Sequence, residues 1–389
     1  MQTYLIIGNG VAGTTAAEAI RQHDSKGKIT VFSEENLPFY HRLRLNEFIA
    51  GTIDEEKLVA KKSAWYEEQA ITLLTGRRVT AVDPTQKTLN IAGLPPFAFD
   101  RLLLATGSHS FVPPIAGANL PGVFTLRTIA DARAIAAHAQ KTREVVLIGG
   151  GLLGLETGNA LRRLGKQVTV VEFFPRLLPR QLDNKGAKRL QGILEAMGFS
   201  FRLETSSREI QGKGMTQEVL LEGGETLPAQ MVIVSAGVRP NLDLAKGLGL
   251  ACDKGISVND RFETSLPGIY AAGDVAEHRG TLYGIWPAAM QQGKIAGSNM
   301  AGGDALYTGS TMSTVLKVAG IEVAAAGNID AESRFEAKVV SSESSYRKLV
   351  IDDNRIIGCI MVGDTRNFST ITRHIAEKSD IGAIKQSLL

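Results

Sequence analysis

Two stretches of this chain repeat one pattern: YLIIGNGVAGTTAAEAI from Tyr4 and VVLIGGGLLGLETGNAL from Val145, each a short apolar run, a glycine cluster and a helix-forming segment. In the first, Gly8, Gly10 and Gly13 stand in G-x-G-x-x-G spacing; in the second, Gly149, Gly151 and Gly154 do. Glycine at these places lets the backbone turn sharply out of a buried strand. It also lets a pyrophosphate approach the free N–H groups of the following helix. Taken alone, one such turn is weak evidence, because an ordinary strand-to-helix connection can carry the same spacing. The sequel strengthens both.

After the first turn, a helix is expected over 14–21, and the next strand, KITVFSE, ends at Glu34. That is about twenty residues beyond the last glycine, where a carboxylate accepts hydrogen bonds from the adenosine ribose. Glu35 competes for the role. The second copy has the same parts: a strand over 145–148, a helix to about Leu164, and the strand QVTVVE ending at Glu172. An acid there favours a free 2′-hydroxyl over a 2′-phosphate, so NADH is expected rather than NADPH, although Arg176 nearby leaves the alternative open. Two nucleotide sites imply two nucleotides, and the simplest chemical reason is hydride transfer between them, which points to a flavin enzyme. Two further strand-and-turn pieces agree, LLLATGS over 102–108 and GIYAAGDVAE over 268–277. The second sets Asp274 after Gly273 at a strand end, placed to bond a flavin ribitol, bind a cation or cap the next helix.

With 389 residues and 44% apolar content, the chain can bury several cores, so two or three domains are expected. Its 43 basic and 40 acidic residues nearly cancel, which argues against a nucleic-acid partner. No run of about 18 apolar residues occurs and no basic-apolar leader precedes the first strand, so no membrane partner and a cytoplasmic location are expected. Cys252 and Cys359 are far apart, in no C-x-x-C spacing, and imply neither a disulfide framework nor a thiolate metal site.

The ordered motifs GNGVAG, ATGS, GGGLLGLE, VTVVE, SAGVRPN and YAAGDVAE resemble the FAD-dependent pyridine-nucleotide reductases of the glutathione-reductase-like superfamily. The resemblance implies an α/β chain of two interleaved Rossmann-like domains plus a smaller C-terminal α/β domain. Its boundaries would be 1–110 with 237–303 for FAD, 111–236 for NAD, and 304–389 for the tail. It places Val11, Ala12, Val79, Ala105, Thr106 and Gly107 beside FAD with the first turn, Arg42, Gly273, Asp274 and Trp286. Leu152, Leu153 and Gly237 would join the second turn and Glu172 around NADH.

Members differ in how electrons leave the flavin. Disulfide reductases of this superfamily carry a cysteine pair, and the coenzyme A disulfide reductases and water-forming oxidases carry one redox cysteine after the first acid-ended strand. Here that region reads ENLPFYHRLRLNEFI, without cysteine. The cysteine-free relatives pass electrons directly to a carrier, as the reductases of dioxygenase ferredoxins, the NADH:rubredoxin reductases and the flavin portion of assimilatory nitrite reductase do. R-x-R-L-x-E, with Arg42, Arg44 and Glu47, is similar to the rubredoxin-reductase and nitrite-reductase branch, and so is the tail. Dioxygenase-type reductases have Lys at the Glu47 position, paired with the acid that is Glu156 here. The resemblance therefore sets Glu47 opposite Glu156, two carboxylates that would share a proton unless Arg44 neutralised them.

The implied activity is hydride transfer from NADH to FAD, with Glu156 placing the nicotinamide and Trp286 and the helix from about Pro287 covering the flavin edge. Electrons then go singly to an acidic rubredoxin or ferredoxin. Such a carrier calls for a basic face, for which Lys317, Arg347, Lys348, Arg366, His41, Arg42 and Arg44 are candidates. The competing readings are a flavin subunit of a nitrite-reductase-like assembly, a peroxide-forming NADH oxidase, and a redox sensor resembling apoptosis-inducing factor. A monomer or homodimer is expected.

Overall fold

The computed structural model describes residues 1–310, 313–318 and 320–382. Two compact units are present. The first comprises Met1–Arg42, Asp54–His109 and Val238–Ser310; the second comprises Leu43–Ile53, Ser110–Gly237 and Thr311–Leu389.

The first unit is built on a five-stranded parallel sheet, in the order Ile269–Ala271, Arg101–Leu104, Thr3–Ile7, Lys28–Phe32, Ile71–Leu74. Its central strands are continuous apolar runs because both faces are covered, as parallel sheets require. One face carries the helix Val11–His23, which packs on the helix Trp286–Met300. The two approach closely because small residues meet. A Cβ on Gly293 would lie 2.2 Å from the Ala12 carbonyl oxygen, and one on Gly297 would lie 2.3 Å from that of Ala16. The second helix begins at Trp286, with Pro287 in its first turn.

The second unit repeats the plan. Its parallel sheet runs Phe199–Leu203, Gln167–Glu172, Glu144–Ile148, Met231–Val234, Val123–Phe124, with the helix Leu152–Arg163 against it. Gly158 permits that packing, since a Cβ there would meet Leu147 Cδ1 at 2.5 Å. The segment Leu43–Ile53 belongs here and not with the first unit, where the sequence boundaries put it, because its short helix Leu45–Ile49 packs on Leu152–Arg163 and Ile129–Ala139.

The remainder of this unit is an antiparallel sheet in the order Ser313–Val318, Ile321–Gly327, Arg355–Val362, Tyr346–Asp352, Glu336–Ser341, followed by the helix Phe368–Glu377. Tyr346–Asp352 is covered on both sides. Leu349 and Ile351 join Phe368 and Ile371 in a core, while Tyr346 and Lys348 reach Asp183, the N-cap of the helix Asn184–Ala196. Arg347 and Lys348 are thus 6% and 3% exposed and cannot belong to a docking face. Lys348 instead lies 3.3 Å from the Asp183 carboxylate and donates to the carbonyls of Ile329 and Asp330 at 3.1 and 2.8 Å, while Arg347 pairs with Asp364 at 3.5 Å.

Candidate functional site

Within the first unit, Gly8 turns out of the strand Thr3–Ile7 with φ +113°, and a Cβ there would sit 2.1 Å from the Ala105 carbonyl oxygen. Gly13 faces the same limit, 1.9 Å from the oxygen of Gly8. Gly10 is different. Nothing lies within 4 Å of the Cβ it lacks, so its missing side chain leaves open space at the N-terminus of the helix Val11–His23. Ala12 is buried beneath this turn and Val11 half-buried at its rim.

Between these glycines lies a residue that motif reading passes over. Asn9 Oδ1 accepts from Tyr66 OH at 2.9 Å and from Thr14 Oγ1 at 3.2 Å, and Tyr66 OH in turn accepts from the Phe39 N–H at 3.2 Å. Two donors fix which way the amide points. Asn9 Nδ2 is then a buried donor with no protein acceptor. A lone buried N–H is costly, and a phosphate oxygen is the kind of group that would satisfy it. The open space at Gly10 and this orphan donor together fit the pyrophosphate of a dinucleotide.

The other pieces of the first unit converge on the same end of the sheet. Gly273, at φ +86°, donates its N–H to the buried Gln292 Oε1 at 2.8 Å, and Ser108 Oγ donates to Asp274 at 2.9 Å. Gly107 has φ +66°, and Thr106 and Asn241 bond reciprocally, Thr106 Oγ1 to the Asn241 carbonyl at 3.1 Å and Asn241 Nδ2 to the Thr106 carbonyl at 2.8 Å. Trp286 opens its helix with its ring 5.8 Å from those of Phe39 and His41. Val79 is buried in the strand Val79–Asp83. The two acids divide: Glu34 is exposed and pairs with Arg78 at 3.1 Å, while Glu35 accepts from Tyr40 OH at 2.6 Å and Arg42 at 2.7 Å.

In the second unit, Gly149 has φ +115° and a Cβ there would lie 2.3 Å from the Ser235 carbonyl oxygen; Gly154 meets the oxygen of Gly149 at 2.4 Å; Gly151, like Gly10, faces open space. Leu152 and Leu153 begin the helix, and Gly237, at φ +97°, accepts the Phe111 N–H at 2.8 Å. Glu172 is 6% exposed, its Oε2 taking the Gly150 N–H at 2.6 Å and its Oε1 the Phe174 N–H at 2.8 Å. Each oxygen keeps a further lone pair for a ribose hydroxyl. Arg176, open to a 2′-phosphate from sequence alone, is committed elsewhere: it donates to the carbonyls of Leu182 and Pro179 at 3.1 and 3.3 Å and to Asn184 Oδ1 at 3.4 Å.

The carboxylate pair expected from resemblance does not form. Glu47 is bound by Arg44 at 2.8 and 3.0 Å, and this guanidinium holds its carboxyl below the usual range. The neighbour of Glu156 is Asn46, whose Nδ2 lies 3.4 Å from Glu156 Oε2 and whose Oδ1 accepts from Thr157 Oγ1 at 3.0 Å. One residue's difference on the short helix Leu45–Ile49 turns Glu47 outward and Asn46 toward the helix Leu152–Arg163. Burial pushes Glu156 up to about 7.

A model of the pyridine nucleotide-disulphide oxidoreductase family matches residues 2–293. The chain belongs to that family. Its members use FAD and NADH. A second model, the rubredoxin NAD+ reductase C-terminal domain, matches residues 313–379, the antiparallel sheet and its helix. Among curated relatives, the chain is 34% identical over 392 residues to the assimilatory nitrate reductase electron transfer subunit of Bacillus subtilis, the match covering 100% of this chain and 51% of that protein. It is 32% identical to the NADH-rubredoxin oxidoreductase of Clostridium acetobutylicum, covering 92% and 90% of the two chains. The crystal structure of the NADH:rubredoxin oxidoreductase from the same organism matches with a TM-score of 0.85 at 30% identity, covering 98% of this chain and 97% of that one. The chain spans about half the length of the first curated relatives it matches. Among the described residues, no helix of this oxidoreductase is long and apolar enough to cross a membrane, and no cluster of His, Cys, Asp and Glu is arranged to hold a metal.

Proposed function

We propose that this flavoenzyme oxidises NADH and passes the electrons singly to a small iron–sulfur carrier, rubredoxin. FAD, when bound, accepts the pair as a hydride and releases it one electron at a time, so one NADH yields NAD+, a proton and two reduced carriers. The chain's own residues bind and orient. Asn9 Nδ2 and the helix N-terminus at Gly10 hold the FAD pyrophosphate, and Asp274, fixed by Ser108, takes the ribitol. Ala105, Thr106, Gly107 and Gly273 shape the backbone around the flavin. Gly149, Gly151, Gly154 and Glu172 hold NADH, and Glu156, steadied by Asn46 and about half protonated near pH 7, positions the nicotinamide. On this reading, residues 1–110 and 237–303, less the segment 43–53, serve FAD, and 111–236 serve NADH.

The observation that carries this reading is the state of the thiols. Cys359 is fully buried in the strand Arg355–Val362, where burial pushes it up to about 12, and burial raises Cys252 too. A thiolate relay needs an exposed, acidified cysteine, and neither qualifies. Electrons then leave the flavin directly, with no thiol of the described residues between it and the acceptor. The match of residues 313–379 to the rubredoxin reductase C-terminal domain favours rubredoxin over ferredoxin. A second reading rests on a separate observation: the chain is 34% identical to the assimilatory nitrate reductase electron transfer subunit, which favours a role as the flavin portion of an electron-transfer assembly.

Anaerobic stopped-flow reduction with NADH and NADPH, followed by mixing with oxidised rubredoxin, ferredoxin or air, tests both. Fast bleaching by NADH and faster reoxidation by rubredoxin than by oxygen is expected. If oxygen outpaces every carrier, rubredoxin falls as the acceptor; if only a co-purifying partner reoxidises the flavin, the second reading stands.

A further inference from the structure

The helix Asn184–Ala196 is capped by Asp183, whose Oδ1 accepts the Gly186 N–H at 2.8 Å. A cap needs only one side-chain oxygen, and serine or asparagine serves as well. The second oxygen of Asp183 is held from the antiparallel sheet: Tyr346 OH donates to Oδ2 at 2.7 Å, and Lys348 Nζ lies 3.3 Å from it. All three side chains are buried. Tyr346 also lies against the start of the helix, since a Cβ on Gly186 would meet its ring at 3.2 Å. An apolar contact of the same volume commonly joins two elements as firmly as a buried ionic one, so stability alone does not call for this cluster.

On the other side of Asp183 stands the second glycine turn. Back along the chain, Leu182 and Gln181 donate their N–H groups to the Leu178 carbonyl, both at 2.9 Å, and the Leu178 N–H donates to the carbonyl of Gly150 at 3.2 Å. Leu177 fills the space beside that glycine, where a Cβ would meet its Cδ2 at 2.8 Å. Leu178 is buried with φ +49°, a left-handed backbone that a leucine keeps only when its surroundings impose it. Arg176 braces the same stretch by donating to the carbonyls of Pro179 and Leu182 and to Asn184 Oδ1. The segment from Leu178 to Asp183 is thereby a short strut. One end bears on Gly150, whose N–H is held by Glu172, and the other is gripped by Tyr346 and Lys348.

We propose that Tyr346 and Lys348 are positioning residues for the coenzyme: acting through Asp183, the antiparallel sheet holds the strut, and with it the Gly150 turn, in the shape that receives the pyrophosphate and ribose of NADH. The proposal rests on the reading of this turn as the NADH site. It gives the residues matched by the rubredoxin reductase C-terminal domain a part in coenzyme affinity that involves no electron carrier.

The test uses ADP-ribose, which carries the adenosine half and the pyrophosphate, and reduced nicotinamide mononucleotide, which lacks the adenosine half. Tyr346→Phe removes one hydroxyl and keeps the ring. Titration calorimetry on the FAD-loaded protein should show ADP-ribose binding weakened about fivefold, and KM for NADH should rise by about the same factor with kcat unchanged. FAD retention and KM for reduced nicotinamide mononucleotide should stay at the parent values. Asp183→Ser keeps a helix cap but is too short to reach Tyr346, and should lose at least as much ADP-ribose affinity. Adding Tyr346→Phe to it should cost nothing more, because Tyr346 acts only through Asp183. Ile371→Val loosens the same sheet at a distance from Asp183 and should alter none of these constants. Parent-like ADP-ribose affinity in Tyr346→Phe, additive losses in the double variant, or an equal loss in Ile371→Val would each overturn the strut while leaving the NADH site in place. Failure of the parent protein to bind ADP-ribose at all would overturn the site, and the proposal with it.

Discussion

The two glycine turns have one spacing and two different ways of meeting a pyrophosphate. At the position between the first pair of glycines, the first turn carries Asn9 and the second Gly150. Asn9 offers a side-chain donor, buried and unmatched, whose direction is set by Tyr66 and Thr14. Gly150 has no side chain to offer, and its N–H is already taken by Glu172; a Cβ there would meet Leu177 Cδ2 at 2.8 Å and Glu172 Oε2 at 3.2 Å. The acids follow the opposite rule. Glu172 is buried and part of its turn, whereas Glu34 pairs with Arg78 on the surface and Glu35 is drawn off to Tyr40 and Arg42. On the proposed reading, the first turn leaves a polar group for a resident cofactor to satisfy, whereas the polar groups of the second are already paired before a coenzyme arrives.

If that contrast is sound, Asn9→Asp should have the largest effect. It preserves size but replaces the lone donor with a carboxylate facing a diphosphate, and like charges brought together out of water cost several kcal/mol. FAD affinity, measured by flavin fluorescence on adding cofactor to the apoprotein, should fall about a thousandfold, while ADP-ribose binding at the second turn stays near the parent value. An Asn9→Asp protein that retains FAD as firmly as the parent would show the orphan donor to be unused.

A second contrast lies two residues beyond the last glycine of each turn, Thr15 in the first helix and Glu156 in the second. Burial pushes Glu156 up to about 7, against an ordinary value near 4.5. Between these two pH values the folded chain keeps a proton that the unfolded chain has released. Stability is therefore full below about 4.5 and lost as pH rises toward 7, by on the order of 3 kcal/mol in the cofactor-free protein. Glu47 runs the other way, since Arg44 lowers it: its contribution is present above the ordinary carboxylate range and fades as pH falls. Denaturant unfolding of the parent and of Glu156→Gln across pH 4–8 separates them. The difference between the two proteins should widen with pH in favour of the variant, and parallel curves would mean that Glu156 titrates normally.

What sequence alone could read follows from how local each constraint is. Gly8, Gly13, Gly149 and Gly154 were legible because each answers to backbone atoms close along the chain or just past a neighbouring strand, as Gly13 answers to Gly8 and Gly8 to Ala105. Glu172 was legible because strand-end acids have a fixed distance from the turn. Asn9 was missed because its donors come from Thr14 and, 57 residues away, Tyr66, which no motif links to it. Asn46 was missed for the same reason, 110 residues from Glu156, and resemblance pointed to its neighbour Glu47. A cue did exist: on a short helix, adjacent residues point in directions roughly a quarter-turn apart, so only one of the two can face Glu156. Lys348 and Arg347 read as a docking face because their charge suggests surface; only the covering of the strand Tyr346–Asp352 on both faces shows that they are paired inside.

The smallest expected effect is also the cleanest comparison, because it concerns what the two turns share. Gly10 and Gly151 both adopt ordinary extended angles, φ −83° and −77°, and neither would bring a Cβ within 4 Å of any atom. Alanine at either place therefore leaves the cofactor-free chain unstrained, and its melting temperature should not fall. On the proposed reading, that space is where a pyrophosphate would come close to the backbone. Gly10→Ala should weaken FAD about tenfold and spare ADP-ribose; Gly151→Ala should weaken ADP-ribose about tenfold and spare FAD. Crossed effects, with either alanine disturbing both ligands equally, would mean that the turns are not separate sites. Matching losses confined to their own ligand would locate each nucleotide at its own turn and leave Asn9 as what distinguishes how tightly the two are kept.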